Sequence, residues 1–213
     1  LRTVTGVQTC ALPICVHEIP DMGRAAKGRS IANLLELKAH EKIAALIRIE
    51  AKYGPNREDQ TWTQPGFVFF ATQQGIVKKT ALEEFANIRK GGIIAIKIEQ
   101  DDALIEARLT SGANEVVLIT HGGMSIRFNE EDARAMGRAA VGVYGIDLAA
   151  GDRVVSLAIV DGNATLLVAG ENGIGKRTAF DEYRVQSRGG KGIITMKTGD
   201  KTGGVVGALT VRE

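Results

Sequence analysis

The chain has 213 residues, of which 44% are hydrophobic and 24% are charged, and its formal net charge is +2. This length is enough to bury one or two substantial cores. No apolar run approaches the roughly 20 residues that cross a bilayer, so we predict no membrane insertion. The small positive charge does not by itself indicate a nucleic-acid partner. Cys10 and Cys15 are the only cysteines, which excludes a disulfide framework and a four-cysteine zinc site and fits the cytosol.

The amino terminus differs in character from the rest. Residues 4–14 read VTGVQTCALPI, which resembles the translation of a sequencing-library adapter. A signal peptide is the alternative, but Gln8, Thr9 and Pro13 interrupt the apolar stretch and Arg2 is its only basic flank. We therefore expect residues 1–14 to be a disordered translation artefact with no place in the fold, and the coding sequence to be truncated at this end.

The remaining sequence contains a repeat of about fifty residues. Its clearest marker is a Gly- and Arg-containing phrase, which occurs as GRAAKG at 23–28, NIRKGG at 87–92, GRAAVG at 137–142 and SRGGKG at 187–192. The last glycines of the later three copies are fifty residues apart, and an insertion at about 50–66 lengthens the first interval. A fixed period of this length indicates stacked or radially arranged copies of one unit.

Four short strands are predicted in each copy. The first strand covers 93–98, 143–148 and 193–197; the second covers 43–49, 103–110, 154–160 and 205–211; the third covers 67–72, 115–120 and 165–170. Turns at Gln74-Gly75, Gly122-Gly123 and Asn172-Gly173 lead into the fourth. Residues 130–136 and 34–47 could each form a helical turn or more, but the repeat register places 34–47 across two strands, and position in the repeat is given precedence over local propensity. We predict an all-β, propeller-like β-pinwheel of about three and a half four-stranded antiparallel blades, approximately 17–85, 86–133, 134–183 and 184–213.

Basic residues recur at two positions of the repeat, whereas acidic residues gather between them at 83–84, 130–132 and 181–182. In a ring of blades, loops at one repeat position share a rim, so these cations would form a basic track for bent duplex DNA. The alternative is that they only keep outer strands soluble and protect sheet edges. The predicted DNA contacts are Arg24, Lys27, Arg29, Lys78, Lys79, Arg89, Lys90, Arg127, Arg134, Arg138, Lys176, Arg177, Arg184, Arg188 and Lys191.

The phrase at 187–192, SRGGKG, adds Gly189, Gly190 and Gly192 to the predicted contacts. Glycines let the backbone adopt positive φ and approach a phosphate closely, so that main-chain N–H groups can join the two cations. A turn glycine that serves only chain reversal is the alternative.

Residues 16–213 resemble the carboxy-terminal domain of the DNA gyrase A protein. The resemblance is carried by HEIPDMGRAAKGRSIANLL, FFATQQGIVKKTALEEF, IRFNEEDARAMGRAAVGV, GENGIGKRTAFDEY, YRVQSRGGKGI and KTGDKTGGVVGAL. The family's gyrase box is Gln, Lys or Arg, Arg-Gly-Gly, Lys or Arg, then Gly. The phrase at 186–192, QSRGGKG, fits it except at Ser187, and this match implies that Gln186 is a further DNA contact. The family's defining copy lies on the first blade, so the resemblance implies a box-like copy on a later blade, with the true box upstream of Val16.

The resemblance implies a part of a six-bladed β-pinwheel that wraps duplex DNA with a positive crossing, for negative supercoiling by an ATP-dependent type IIA topoisomerase. It implies the gyrase B protein as partner in an A2B2 holoenzyme, a place in the bacterial nucleoid of the cytoplasm, and no membrane partner. It also implies no cofactor here, with ATP and Mg²⁺ used elsewhere in the holoenzyme. The breakage–reunion domain and the ATPase domain are absent, so this chain alone should be inactive. The carboxy-terminal domain of the corresponding topoisomerase IV protein and a protein-interaction scaffold are the alternatives.

Catalytic motifs are weak. Residues 170–177, GENGIGKR, approach a phosphate-binding P-loop, but Arg177 stands where Ser or Thr should hold Mg²⁺, so nucleotide binding is not predicted. His17, His40 and His121 are too far apart in the repeat pattern to suggest a metal site. Tyr53, Tyr144 and Tyr183 fall within the repeats or the insertion, and none is predicted to be a DNA-cleaving nucleophile.

Overall fold

A computed structural model describes residues 2–4, 8–11, 14, 18–35, 42–53, 60–62, 66–86 and 92–212. Within these residues the secondary structure consists of short strands and 3₁₀ turns. The strands are β1 (Arg2–Val4), β2 (Gln8–Ala11), β3 (Lys42–Ile43), β4 (Ala51–Tyr53), β5 (Gln60–Trp62), β6 (Phe67–Thr72), β7 (Ile76–Ala81), β8 (Ile93–Lys97), β9 (Leu104–Thr110), β10 (Glu115–Thr120), β11 (Met124–Asn129), β12 (Val143–Tyr144), β13 (Val154–Ile159), β14 (Ala164–Gly170), β15 (Gly175–Ala179), β16 (Ile193–Ile194) and β17 (Val205–Arg212). The 3₁₀ turns are Ile31–Asn33, Leu82–Phe85, Glu130–Asp132 and Phe180–Glu182.

Three consecutive units, 67–110, 115–159 and 164–212, share one design. Each begins with a tight hairpin (β6–β7, β10–β11 or β14–β15), passes through a 3₁₀ turn, and ends with a strand (β9, β13 or β17) that pairs with the first hairpin strand. The glycine in each hairpin turn has positive φ, at Gly75, Gly123 and Gly173. This is the conformation that glycine adopts without steric cost.

A strand is exchanged between neighbouring units. The strand β12 of unit 115–159 pairs with β7 of unit 67–110, and β16 of unit 164–212 pairs with β11 of unit 115–159. The four-stranded sheets are therefore β12-β7-β6-β9 and β16-β11-β10-β13, while β15-β14-β17 has three strands. A further sheet, β3-β1-β2-β8, receives β8 from unit 67–110, and β4 pairs with β5 in a small hairpin.

The two edges of each sheet have different surroundings. The strands β9, β13 and β17 at one edge contact one another in succession. We call the edge that each of these strands forms the inner edge of its sheet. The donated strands β12 and β16 form the opposite, outer edges of their sheets.

The sheets bury both of their faces. Phe69 packs in one cluster with residues of β10 and β11, whereas its neighbour Phe70 packs in another with residues of β8 and β9. In β10, Val116 and Leu118 face the first cluster and Val117 faces a third, shared with β14. Alternate residues of a strand point to opposite faces. The continuous apolar runs of the sequence are therefore explained by sheets packed face to face.

The predicted fold class is confirmed: the described chain is all-β, with four-stranded antiparallel sheets and no α-helix in the ranges given above. The 3₁₀ turn Glu130–Asp132 and the strand β3 lie where helices were rejected. The predicted blade boundaries differ from the sheets, because each copy was expected to supply all four strands of one blade. Instead, the hairpin at the centre of each four-stranded sheet takes its strand β9 or β13 from the next predicted copy and its strand β12 or β16 from the copy after that. Each added strand satisfies N–H and C=O groups at an open edge of the hairpin.

The amino-terminal segment also departs from expectation. Residues 1–14 were predicted to be disordered, but β1 and β2 form a hairpin that pairs with β3 and β8. The strand β8 is donated away from its own unit and needs a partner for its backbone groups. Backbone pairing makes little demand on side chains, so a segment without the repeat pattern can occupy the hairpin position.

Candidate nucleic-acid interface

Two segments form the outer edges of the four-stranded sheets. Residues 134–144 and 184–194, which we call the outer-edge segments, each follow a 3₁₀ turn and end in the donated strand. Ala135 forms a parallel bridge with Lys79, and Val185 forms one with Arg127. Each segment then reverses direction and pairs antiparallel with the same hairpin strand. The loops that the sequence predicted on one rim are therefore held at equivalent places on successive sheets.

The reversal depends on a glycine next to the donated strand. Gly142 has φ +119°, and a Cβ placed there would lie 2.5 Å from the Val77 carbonyl oxygen. Gly192 has φ +77° and approaches the Ser125 carbonyl oxygen in the same way. Both the backbone conformation and the close approach exclude a side chain at these positions.

We expect Gly142→Ala to lower the free energy of unfolding by about 2 kcal/mol, because strain at positive φ is added to the clash with Val77. Denaturant titration measures this change. Gly137→Ala is the matched control, since Gly137 lies in the same segment without positive φ and a Cβ there would meet no atom within 4 Å. An equal loss in both variants would contradict the assigned role of Gly142.

The second outer-edge segment is bonded to the first and to the residues on either side of it. The Gly189 N–H donates to the Gly145 carbonyl (2.8 Å), and the Asp147 N–H donates to the Gly190 carbonyl (3.0 Å). Arg188 donates through Nε to the Asp132 carbonyl (2.9 Å) and through Nη1 to the Tyr144 carbonyl (3.0 Å). The QSRGGKG phrase at 186–192 therefore joins one unit to the next, which fixes the spacing of the two segments.

The outer-edge segments are cationic and contain no carboxylate. No Asp or Glu occurs at 133–146 or at 183–199. Arg134, Arg184 and Lys191 are exposed, whereas Arg138 and Arg188 are half-buried. Gln186 is half-buried, and its N–H donates to the Arg127 carbonyl (2.8 Å). The structure thus brings together nine of the predicted contacts, namely Arg134, Arg138, Arg184, Gln186, Arg188, Gly189, Gly190, Lys191 and Gly192.

Lys78 has a different role from the one predicted. Its side chain is fully buried, and its ammonium group donates to the carbonyls of Ala95 (2.7 Å) and Arg138 (2.6 Å). It also lies over the ring of Phe70. A buried amine bonded in this way joins the hairpin to the next outer-edge segment. The prediction that Lys78 contacts DNA is therefore wrong.

Lys79 and Arg127 occupy equivalent positions and are also turned inward. Lys79 is 6% exposed, and its Nζ donates to the Glu130 carbonyl (2.9 Å). Arg127, with 13% of its side chain exposed, donates to the Phe180 carbonyl (2.6 Å) and pairs with Glu115. Each cation thus holds the 3₁₀ turn of the following unit. The predictions that Lys79 and Arg127 contact DNA are therefore wrong as well, because both side chains bind carbonyls inside the protein.

Burial lowers the pKa of Lys78 from 10.5 to about 8, aided by the nearby Arg138 charge and opposed by Glu84. The folded protein therefore loses this proton at lower pH than the unfolded chain. Well below pH 8 the Lys78 amine is protonated in both the folded and the unfolded protein. The folded protein then bears the full cost of burying the charge. Between about pH 8 and 10.5 the unfolded state binds more protons, so stability rises with pH.

We expect this effect to add up to about 3 kcal/mol to the free energy of unfolding across that pH range. Denaturant titrations at several pH values measure it. Lys78→Met provides the reference because it keeps the other titrating groups. Parallel pH profiles for the two proteins would show that the folded-state pKa of Lys78 is not lowered.

The remaining predicted contacts are not assembled with the outer-edge segments. Lys176 and Arg177 are exposed on β15, whose outer side has no paired strand among the described residues. Arg24, Lys27 and Arg29 are exposed in a segment that repeats the turn of the later copies, with Ala26 N–H donating to the Gly23 carbonyl. No atom lies within 4 Å of a Cβ built at Gly23 or Gly28. Arg89 and Lys90 lie outside the described residues.

Sequence reasoning missed the burial of Glu130, the residue whose carbonyl accepts from Lys79. Glu130 is fully buried, and its carboxylate accepts from the N–H groups of Gly112 (2.9 Å) and Asn114 (2.7 Å) and from the hydroxyl of Thr110 (2.7 Å). From the sequence alone, Glu130 only groups with the acidic residues between the basic positions of the repeat. Its position at the residue equivalent to Leu82 and Phe180, both buried, is the signal that could have shown its burial.

The described residues show no arrangement for metal or nucleotide chemistry. No group of three or more His, Cys, Asp or Glu could hold a metal ion in the part of the chain that the structure describes. Residues 170–177 form the β14–β15 hairpin instead of the strand–loop–helix of a P-loop. Among the residues described, no helix is long and apolar enough to cross a membrane.

Known proteins are similar to this chain in both sequence and architecture. The family model described as "DNA gyrase C-terminal domain, beta-propeller" matches residues 16–50, 66–111, 114–161 and 164–212. The DNA gyrase A protein of Salmonella typhimurium is 46% identical over 197 residues, which are 92% of this chain and 21% of that protein. The DNA gyrase A protein of Escherichia coli is 44% identical over 196 residues, with the same shares. The chain thus spans about a fifth of the length of these curated relatives.

Two solved structures have the same architecture as this chain. The crystal structure of the C-terminal domain of DNA topoisomerase IV matches with a TM-score of 0.78 and 28% identity, over 92% of this chain and 59% of that one. The structure of a DNA gyrase A C-terminal domain matches with a TM-score of 0.73 and 28% identity, over 88% and 60%. The last three family-model matches begin and end within a few residues of the three strand-exchanging units. This chain therefore belongs to the DNA gyrase C-terminal domain family of β-propellers.

Proposed function

We propose that the chain binds duplex DNA along its outer-edge segments. The observation that supports this most directly is that Arg134 and Arg138 occupy sites equivalent to those of Arg184 and Arg188 on the next sheet, with Lys191 beside the second pair and no carboxylate in either segment. Regularly spaced cations match the phosphates of a duplex, and they neutralise charge without reading bases. The bonds between successive segments fix the spacing at which phosphates would be met.

The arrangement of the outer-edge segments on successive sheets is also suited to wrapping duplex DNA. A duplex that passes from one outer-edge segment to the next must bend to follow the sheets, and its deformation would be offset by the added phosphate contacts. Membership of the family supports a place in the DNA gyrase A protein, with the gyrase B protein in an A2B2 holoenzyme that supercoils DNA in the bacterial cytoplasm and nucleoid. The chain's role there is binding, and ATP and Mg²⁺ act in other parts of the holoenzyme.

The corresponding protein of topoisomerase IV is the second candidate, since a C-terminal domain of topoisomerase IV has the TM-score of 0.78 given above. The box-like phrase at 186–192 favours gyrase, as do the gyrase relatives at 44–46% identity.

Affinity for a mixed-sequence duplex of about 40 base pairs, measured by fluorescence anisotropy between 50 and 200 mM salt, tests the proposal. Contact with a few phosphates predicts a linear fall of log K with log salt, at about 0.9 per phosphate neutralised. Similar affinity for unrelated duplex sequences is also expected. Binding that does not change with salt, or no binding at 50 mM, would contradict the proposed function.

A further inference from the structure

Three large apolar side chains are exposed on the outer-edge segments. The exposed fractions are 68% for Tyr144, 62% for Ile194 and 52% for Val185. Val206 and Leu209 are exposed for another reason, since they lie on β17, the inner-edge strand of the last described unit. The corresponding strand before it, β13, is in contact with a following inner-edge strand.

Tyr144 and Ile194 occupy the same position in consecutive units. Tyr144 pairs with Ile76, and Ile194 pairs with Met124, as the second residue of each donated strand. Their neighbours Val143 and Ile193 are turned toward the buried clusters. Edge strands in soluble proteins usually carry charged residues at such outward positions. A single exposed apolar residue needs no explanation, but the repetition at equivalent positions does.

Cations lie close to these apolar residues along the chain. The Tyr144 carbonyl accepts from Arg188 Nη1 at 3.0 Å, so a guanidinium lies beside the tyrosine backbone. Lys191 precedes Ile194 by three residues, and Val185 follows the exposed Arg184. Positive charges and exposed apolar residues therefore occur together in both outer-edge segments.

Duplex DNA presents the complementary pattern. Its phosphates alternate along each strand with deoxyribose, and the groove edges between phosphates accept apolar contacts. A protein partner fits less well, because five cations without a carboxylate would require a strongly acidic surface that also offers apolar recesses at the repeat spacing.

We propose that Tyr144 and Ile194 contact the sugars and groove edges of bound duplex DNA, and so supply a part of the affinity that does not depend on salt. This inference rests on the proposed DNA-binding function. Apolar contact releases no counterions, so its contribution should be the same at every salt concentration, unlike that of the cations.

The test is the affinity of the full chain with Tyr144→Ser and Ile194→Ser combined, for the 40-base-pair duplex between 50 and 200 mM salt. We expect a loss of roughly tenfold at each salt concentration and an unchanged slope of log K against log salt. The combined Tyr144→Phe and Ile194→Val variant should bind as the unsubstituted chain does. Val206→Ser with Leu209→Ser is the control for apolar residues on the inner edge, and it should have no effect.

Two results would overturn the inference. If the serine variant binds DNA as tightly as the unsubstituted chain, the apolar side chains do not contact DNA, while the proposed function stands. If the variant instead loses self-association in sedimentation experiments with unchanged DNA affinity, the occupant of this surface is a second copy. Failure of the unsubstituted chain to bind DNA would refute the proposed function itself. Unchanged circular dichroism would show that the serine variant is folded.

Discussion

Replacing Arg134, Arg184 and Lys191 together by alanine should weaken binding to duplex DNA by roughly 10- to 100-fold at 100 mM salt. The three side chains are exposed and belong to the outer-edge segments. If each neutralises one phosphate, the slope of log K against log salt should fall by about 3. Fluorescence anisotropy over a salt series measures both quantities.

The matched control removes three cations elsewhere. Arg48, Arg108 and Arg212 lie outside the outer-edge segments, with exposed side chains that pair with Glu50, Glu106 and Asp161, respectively. Their replacement by alanine changes the net charge by the same amount. If net charge alone governed binding, the two triple variants would weaken it equally, and the assignment to the outer edge would be wrong.

Replacing Arg127 by methionine should lower the free energy of unfolding by about 3 to 5 kcal/mol. The guanidinium pairs with Glu115 and donates to the carbonyls of Phe180 and Tyr183, which belong to the next unit. Without it, the partly buried Glu115 carboxylate loses its cation and the carbonyls of Phe180 and Tyr183 lose a charged donor, while the Phe180 carbonyl still accepts from the Tyr183 N–H. Denaturant titration followed by circular dichroism measures the loss.

The repeat supplies a control at the equivalent position. Arg177 is exposed on β15 and donates through Nε to the Thr165 hydroxyl at 3.1 Å. Because an exposed side chain of this kind contributes little, Arg177→Met should change stability by less than about 1 kcal/mol. Equal effects of the two substitutions would mean that Arg127 does not hold the neighbouring unit.

The all-β fold could be predicted because its signals are local. Hairpins are indicated by the turns at Gly75, Gly123 and Gly173 and by the apolar runs beside them. Because the repeat has a period of fifty residues, the same pattern occurs in each copy and each occurrence supports the others. The exchange of β12 and β16 could not be predicted, because the spacing between strands is the same whether the outer strand pairs within its unit or with the preceding hairpin. Pairing partners are long-range, and periodicity alone does not fix them.

The candidate site was predicted by repeat position but not by side-chain direction. The repeat register placed Arg134 and Arg184 on one edge, in agreement with the structure. It also assigned Lys78, Lys79 and Arg127 to the surface, whereas these three bind backbone carbonyls inside the protein. A lysine or arginine on a strand is compatible with either location. The choice depends on whether a neighbouring unit presents carbonyl oxygens to the side chain at that point, which is a property of the assembled sheets.

Protection of lysines from acetylation by bound DNA tests the outer-edge assignment most directly. Lys191 and Lys201 are both exposed, but only Lys191 belongs to an outer-edge segment. Mass spectrometry of the chain acetylated with and without a 40-base-pair duplex should show slower modification of Lys191 and an unchanged rate at Lys201. Protection of Lys201 with no protection of Lys191 would place the DNA on another face and contradict the account.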